Sequence, residues 1–341
     1  MRFKLAVTNR FVPQNPIPIQ FFHCMNALAI PSLLLVAWRT YRMTTITRAT
    51  TATGARVWAI VAIVACLITA VCRLDVVAVT PRIGSVLQYL SAVLLLTPLI
   101  HMLGARRPGI TAWPWFVILP LIIVLQWPAA SELMGDTSDA AVKIPSPTVI
   151  GFLFVLLMGS GNYFGTACTS SMLCGAAGAT LIVLPVTEWA AFSNEWLFPL
   201  GCAMLAIAAA LLPRRFFLRD NSAVPPSQLW SDFRDLYGIA WSKRVMDRVN
   251  QFAERENWDT RMTLDGFQPV PAAPAGRGES AVDSLLAVHD SQPCPVEPAE
   301  RSWQVLCWVL RRFVEPEFVR RYLPHSVNLP HSVNLPDGPV N

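Results

Sequence analysis

Apolar residues crowd into seven stretches of the first 213 residues, at 19–38, 57–75, 84–103, 113–130, 148–165, 168–187 and 196–213. At Pro213-Arg214-Arg215 the chain turns polar and stays polar to its end. A helix crossing a hydrocarbon core of about 30 Å needs roughly 20 mostly apolar residues, a length these stretches approach or reach. The pattern predicts an all-α polytopic membrane protein: a seven-helix transmembrane bundle over 19–213 with a small, mostly helical cytoplasmic C-terminal tail. Trp38, Trp58, Trp113, Trp115, Trp127, Trp189 and Trp196 fall at the ends of these stretches or between them, as expected of a ring whose body is apolar and whose N–H seeks the headgroup region. Residues 1–18 form an N-terminal tail, basic and then Pro-rich. The apolar run behind them lacks a small-x-small cleavage site and reads as a retained span, not a removed signal peptide.

Beyond residue 213 the period changes. Leu229, Trp230, Phe233, Leu236, Tyr237, Ala240, Trp241, Val245, Val249, Phe252 and Ala253 recur at three and four residues, predicting one long amphipathic helix from Ser227 to Trp258. Arg261 to Phe267 alternates as a short strand, completing a unit over 214–269. Residues 270–298, rich in Pro, Ala, Gly and Ser, read as a disordered linker. A second amphipathic helix opens the segment 299–323 and presents Trp303, Leu306, Cys307, Leu310 and Phe313. The tail 324–341 carries the six-residue duplication Pro-His-Ser-Val-Asn-Leu and reads as disordered. Two helices and a strand make a marginal core, so their aromatic faces must be buried elsewhere. Packing on each other or on the bundle is one solution. Docking a protein partner through Trp230, Phe233, Tyr237, Trp241, Trp303, Leu306 and Leu310 is the other.

Charge fixes an orientation. Up to residue 213 there are 12 Lys+Arg and 6 Asp+Glu, after it 15 and 16, so the net charge of +5 belongs to the membrane half. A near-neutral tail excludes a nucleic-acid partner. Placing Arg39 to Arg56, Arg106-Arg107 and Arg214-Arg215-Arg219 inside gives 9 basic residues there and 6 outside, which puts the N-terminus outside and the C-terminus in the cytoplasm. Arg2, Lys4 and Arg10 then lie outside against the rule, and six spans with a cytoplasmic N-terminus is the alternative. The Arg-heavy, Lys-poor usage points to a GC-rich bacterial genome, and the expected location is the cytoplasmic (inner) membrane.

Two spans are irregular. Arg73 and Asp75 follow the clean apolar run Val57–Cys72. Residues two apart on a helix face different sides, which favours Arg73 snorkelling to the outer interface over an intramembrane charge pair. From Pro147 to Pro185, Gly159, Gly161 and Gly165, then Ala167, Ser171, Gly175 and Ala179, supply small residues that let helix backbones approach. This segment reads as a tight helical hairpin, the most buried part of the bundle. The alternative is a broken helix whose backbone, with Asn162, Gln88 and Gln126, lines a solute path.

Candidate chemistry is sparse. The spans otherwise carry only His23, Asn26, Gln88, His101, Gln126 and Asn162, too little for a proton-coupled carrier or a paired-aspartate protease. Met158-Gly159-Ser160-Gly161 departs from the serine intramembrane-protease loop, which has Gly two residues before Ser. His23 and His101 are expected roughly 20 Å apart in depth and cannot share a haem. Cysteines 24, 66, 72, 168, 174, 202, 294 and 307 form no CxxC and no zinc-finger spacing. No catalytic residue, metal site or cofactor is assigned, and the one certain partner is the lipid bilayer. The reading this leaves is a non-catalytic subunit or assembly factor of a membrane complex with a cytoplasmic docking tail. A permease for an uncharged or weakly polar solute is the rival. A lipid-modifying enzyme built around Glu132, Asp136 and Asp139 comes third.

Overall fold

In an apolar solvent every backbone N–H and C=O must be bonded within its own segment, and the chain meets that demand with helices throughout. The computed structural model describes residues 19–74, 78–105, 112–135, 140–190, 195–217, 226–270 and 300–322. The first part contains α1 (Ile19–Arg42), the short α2 (Thr44–Thr47), α3 (Ala52–Cys72), α4 (Pro81–Leu103), α5 (Ala112–Met134), α6 (Ser146–Gly161), α7 (Thr169–Val183) and α8 (Leu197–Leu211). Four helices are long and apolar enough to cross a membrane: α3, α4, α5 from Trp115 onward, and α7 with its 3-10 extension to Val186. Helices α6 and α8 are apolar but have 16 and 15 residues, about 24 and 22 Å at 1.5 Å per residue against a core of about 30 Å.

Much of the exposed helical surface is apolar, which is compatible with lipid around it. Large apolar side chains point outward on α1 (Leu28, Leu34), α3 (Ile60, Val64, Ile68), α5 (Phe116, Ile123, Val124, Trp127), α6 (Phe154, Leu157) and α8 (Ile207, Leu211). Helix α4 is the hub. It packs on α3, α5, α6 and α7 and buries Tyr89, Ala92, Val93 and Leu96 completely. Pro81 opens it and the Thr80 hydroxyl accepts from the Ile83 N–H, the usual way of satisfying a first-turn donor. Two sets of polar groups inside the bundle find near partners. The Tyr89 hydroxyl donates to the Leu125 carbonyl at 2.9 Å, and Thr69 and Ser91 join α3 to α4 at 2.9 Å.

Helices α7 and α8 approach each other closely. A Cβ on Gly178 would lie 2.9 Å from the Gly201 carbonyl oxygen, and one on Gly201 would lie 2.8 Å from that of Gly178 and 2.7 Å from Ile182. Ser171 donates across the same face to the Ala208 carbonyl at 2.7 Å. The stripe Ser171, Gly175, Ala179 therefore does build a tight pair, but with α8 and not with α6. The expected α6–α7 hairpin is the looser contact, because residues 162–168 turn away from the helix axis: Gly165 has φ +79°.

The helix ends sort into two sets. Residues 42–52, 102–105, 162–168 and 212–217 gather against the C-terminal helices. At the opposite end Ile144 bridges Thr187, Val142 N–H donates to Ser85, Ser146 donates to Glu188, and Arg73 reaches the Glu195 carbonyl.

The polar part folds as α9 (Pro226–Tyr237), α10 (Ile239–Arg255), the antiparallel hairpin β1 (Thr260–Thr263) and β2 (Gly266–Pro269), α11 (Glu300–Leu310) and α12 (Pro316–Arg320). Three expectations are revised. The single helix predicted over 227–258 is two, broken at Gly238, whose φ of +79° disfavours any L side chain. The lone strand is a hairpin. The second amphipathic helix stops at Leu310, and Val314 pairs with Thr50 before Pro316 starts α12. The N-terminal tail, most of the linker, the tail 324–341 and Asp75 lie outside the described residues.

Gly201→Ala should force α7 and α8 apart and lower the stability of the detergent-purified chain by about 1–3 kcal/mol. Gly84→Ala, with nothing within 4 Å of the new methyl, should leave the thermal midpoint unchanged. Equal midpoints for the two variants would remove the close α7–α8 approach from the account.

Candidate functional site

The turn after α6 meets the break between α9 and α10, and each repairs what the other lacks. A helix leaves its first N–H and last C=O groups without partners. The side-chain amide of Asn162 donates to the Tyr237 carbonyl at 3.0 Å and accepts from the Ala240 N–H at 2.9 Å. Its backbone oxygen accepts from the Ile239 N–H at 2.7 Å. The Tyr163 hydroxyl donates to the Leu236 carbonyl at 3.2 Å, and Asp235 accepts from the Ala167 N–H at 3.2 Å. Two residues of one turn thus serve the C-terminus of α9 and the N-terminus of α10. Gly238 permits this approach: a Cβ there would overlap the Asn162 amide.

Further bonds extend the seam. Trp241 Nε1 donates to the Met102 carbonyl at 2.9 Å. The Tyr237 hydroxyl donates to the Phe313 carbonyl at 2.9 Å and lies 2.8 Å from the Thr51 hydroxyl, while the Thr51 N–H donates to the same carbonyl at 3.0 Å. Glu315 N–H donates to Ala49, and Arg321 reaches the Thr45 carbonyl at 2.6 Å and that of Arg48 at 3.3 Å. Phe313 is the aromatic centre, with ring centroids of Phe233, Tyr237 and Trp241 at 5.4, 5.6 and 5.0 Å.

Charge is buried beside this seam. Asp232 and Asp235 are 5% and 1% exposed. Arg215, at the exit of α8, approaches Asp232 at 3.1 Å and also contacts Asp235, which Arg234 approaches at 3.4 Å. The Tyr322 hydroxyl donates to Asp232 at 2.9 Å. Burial raises the Asp232 carboxyl above its ordinary range, opposed by the Tyr322 hydrogen bond and the Arg215 charge. Burial also raises the Tyr322 hydroxyl, helped by the Asp232 charge. Loss of one buried partner from such a set leaves an uncompensated charge.

At the opposite end Arg73 turns into the bundle. Its guanidinium donates to Gln88 Oε1 at 2.7 Å and to the Glu195 carbonyl at 3.3 Å, and lies over Phe198 at 5.0 Å. Gln88, 1% exposed, donates in turn to the Ile182 carbonyl at 2.7 Å. Simple snorkelling outward does not describe this arrangement, since both donors are held by the protein.

The residues singled out in the sequence do not form one site. Gly159 packs on Leu99 of α4, with 2.7 Å between the added Cβ and that of Leu99. Gly161 meets only its own Phe164, and nothing lies within 4 Å of a Cβ on Gly165. Ser171 and Gly175 face α8, Gln88 is held by Arg73 and Ile182, and Gln126 on α5 has its Oε1 buried with no partner among the described residues. The seven aromatic and apolar tail residues are occupied within the chain. Trp230, Phe233, Tyr237, Trp241, Leu306 and Leu310 are buried in the C-terminal core, and half-buried Trp303 packs on Phe267 at 5.4 Å. Packing on each other and on the bundle is the arrangement the fold gives these side chains. Asp232, Asp235, Arg215 and Gly238 went unrecognised. Their signal was present: both aspartates lie on the apolar arc of α9, interleaved with Leu229, Phe233 and Leu236.

No protein-family model matches the chain, and comparisons with curated proteins and with solved structures yield no match.

Asn162→Ala removes both side-chain bonds to the α9–α10 junction and should cost about 1–3 kcal/mol per buried group left unpaired. The expected result is faster proteolysis within 226–322 while helices α3–α8 stay protected; uniform protection across both parts would refute the seam's role. The raised Asp232 carboxyl gives a pH signature. A folded value above the ordinary 3.8 means that this group's stabilising contribution is complete below that value and is lost as pH rises through the folded one. The stability of Asp232→Asn relative to the unaltered chain should therefore increase with pH from about pH 4 upward. A pH-independent difference would show that burial does not shift this carboxyl.

Proposed function

We propose that this chain is a multi-pass protein of the bacterial inner membrane, acting as a non-catalytic subunit or assembly factor of a membrane complex. In this reading α1 and α3–α8 cross the bilayer as seven spans, with the N-terminus outside and the C-terminal helices in the cytoplasm. The outward apolar side chains and the sorting of helix ends into two sets support seven spans. The Arg-rich connections on the side of the C-terminal helices support the orientation.

The observation that carries the subunit reading is the seam. It commits Asn162, Tyr163, Tyr237 and Trp241 to internal bonds and makes the C-terminal helices a fixed cap on the bundle. With the aromatic faces used internally, one exposed surface open to a partner is the outer side of α10, where Lys243, Arg244, Asp247, Arg248, Glu254 and Arg255 are exposed. A permease through the Gly159–Gly165 segment is less well supported, because Asn162 and Gln88 already have their hydrogen-bonding groups occupied.

The full chain, extracted in mild detergent from its native membrane, should migrate with a stoichiometric protein companion. The double variant Lys243→Glu, Arg248→Glu should lose at least about tenfold of that companion while remaining inserted and folded, as expected where two rim charges guide association. A lone homo-oligomer that supports solute uptake would overturn the subunit reading in favour of the permease.

A further inference from the structure

Residues 19–74 contain no Asp or Glu, yet four arginines, Arg39, Arg42, Arg48 and Arg56, lie between α1 and the first turn of α3. The neighbouring exit of α8, Leu205 to Phe217, is equally free of acids and adds Arg214 and Arg215. Arg215 is engaged by Asp232 and Asp235. Arg39 and Arg42 form no ion pair among the described residues.

These two guanidinium groups are nonetheless held in place. Arg39 lies over the Phe217 ring at 4.7 Å and over Trp38 at 5.6 Å. Arg42 lies over the other neighbour of the pair, Trp38, at 5.7 Å and donates to the Phe217 carbonyl at 3.5 Å. Stacking on aromatic faces fixes the plane of a guanidinium while leaving N–H groups at its edge for a planar or tetrahedral oxyanion. The Arg39 Nε is buried and has no hydrogen-bond partner among the described residues. Trp38 is 52% exposed, a ring at the depth where indoles meet headgroups. Above it on the same helix, Leu34 and Leu35 face outward and would accompany acyl chains.

We propose that Arg39 and Arg42, framed by Trp38 and Phe217 at the α1–α8 corner, bind the phosphate of one anionic phospholipid of the inner leaflet. Charge complementarity selects this occupant: two cations without an ion pair among the described residues, no carboxylate within 19–74 or 205–217, and an adjoining apolar face. Helix-dipole compensation accounts for basic residues in the last turn of α1, but leaves the buried Arg39 Nε and the doubly stacked geometry unexplained. The inner-leaflet assignment rests on the orientation proposed above; binding itself does not, and the two are tested separately.

The full chain, purified in a neutral maltoside detergent, is incubated with phosphatidylglycerol, with phosphatidylcholine or with inorganic phosphate, and bound lipid is counted by native mass spectrometry. The unaltered chain should retain one phosphatidylglycerol about tenfold more than phosphatidylcholine, as about two basic contacts at a headgroup provide. Arg39→Gln with Arg42→Gln should abolish that preference. The single variant Arg42→Gln, at an exposed position, should reduce it with the fold intact, and Arg255→Gln on α10 should not change it. Equal retention of the two lipids by the unaltered chain, or a preference unchanged in both variants, overturns the site. Displacement of phosphatidylglycerol by millimolar inorganic phosphate alone would make the ligand a free anion and overturn the lipid assignment. Reporter fusions after residues 50 and 140 decide the leaflet independently.

Discussion

Asn162 sits where two incomplete structures meet. Without it the C-terminal end of α9 and the N-terminal end of α10 would each present unpaired backbone groups in a buried place, a cost of about 1–3 kcal/mol for every group left unmade. With it, the amide and the main-chain carbonyl of one residue close both ends. The glycine at 238 makes room for that amide and supplies the positive φ that breaks the helix. The aromatic cluster around Phe313 can then assemble, because the two helices it joins are already set at a fixed angle on the bundle. The amphipathic helices that would be a marginal core alone become stable by borrowing Ile46, Ala52, Met102, Tyr163 and Phe216 from the membrane part.

The bundle and the seam solve the same problem differently. In the bundle, packing depends on close backbone contact, as at Gly178 and Gly201, since lipid tails give helices no hydrophobic reason to associate. At the seam the association uses large aromatic surfaces together with directed hydrogen bonds. The buried acids belong to this second regime. Asp232 and Asp235 are tolerated because Arg215 and Tyr322 arrive from two other segments to meet them. They tie the exit of α8 and the end of α12 to α9, so the connection from bundle to cap is held by charge as well as by the chain itself.

Arg73 and the Arg39–Arg42 pair mark opposite ends of the molecule and opposite treatments of a cation. Arg73 is turned inward and held by Gln88 and the Glu195 carbonyl, with a ring of Phe198 beneath it. Arg39 and Arg42 are stacked on aromatic rings and form no ion pair among the described residues. The first is a structural clasp at the end of α3. The second is the pair proposed to hold a lipid phosphate.

Helix was legible throughout, because apolar runs near membrane length admit little else: a lone strand could not satisfy its backbone in lipid. The amphipathic character of the tail was equally plain from the spacing of Leu229, Phe233 and Tyr237. Which surfaces those faces would cover was not, since periodicity says that a face must be buried and never against what. The stripe Ser171, Gly175, Ala179 announced a close approach but could not choose between α6 and α8. That choice depends on Gly165 and the turn at 162–168, which swing the chain off the axis of α6. Gln88 and Asn162 looked like candidates for a solute path for the same reason. A polar side chain in an apolar stretch does not say what it meets, and the partners of these two, Arg73, Ile182 and the α9–α10 junction, lie 15 to 94 residues away. Sequence by itself determined the class of structure, through the local demand of the backbone for internal hydrogen bonds. Tertiary structure alone decided which buried groups meet, because those meetings are set by the directions in which distant helices leave their turns.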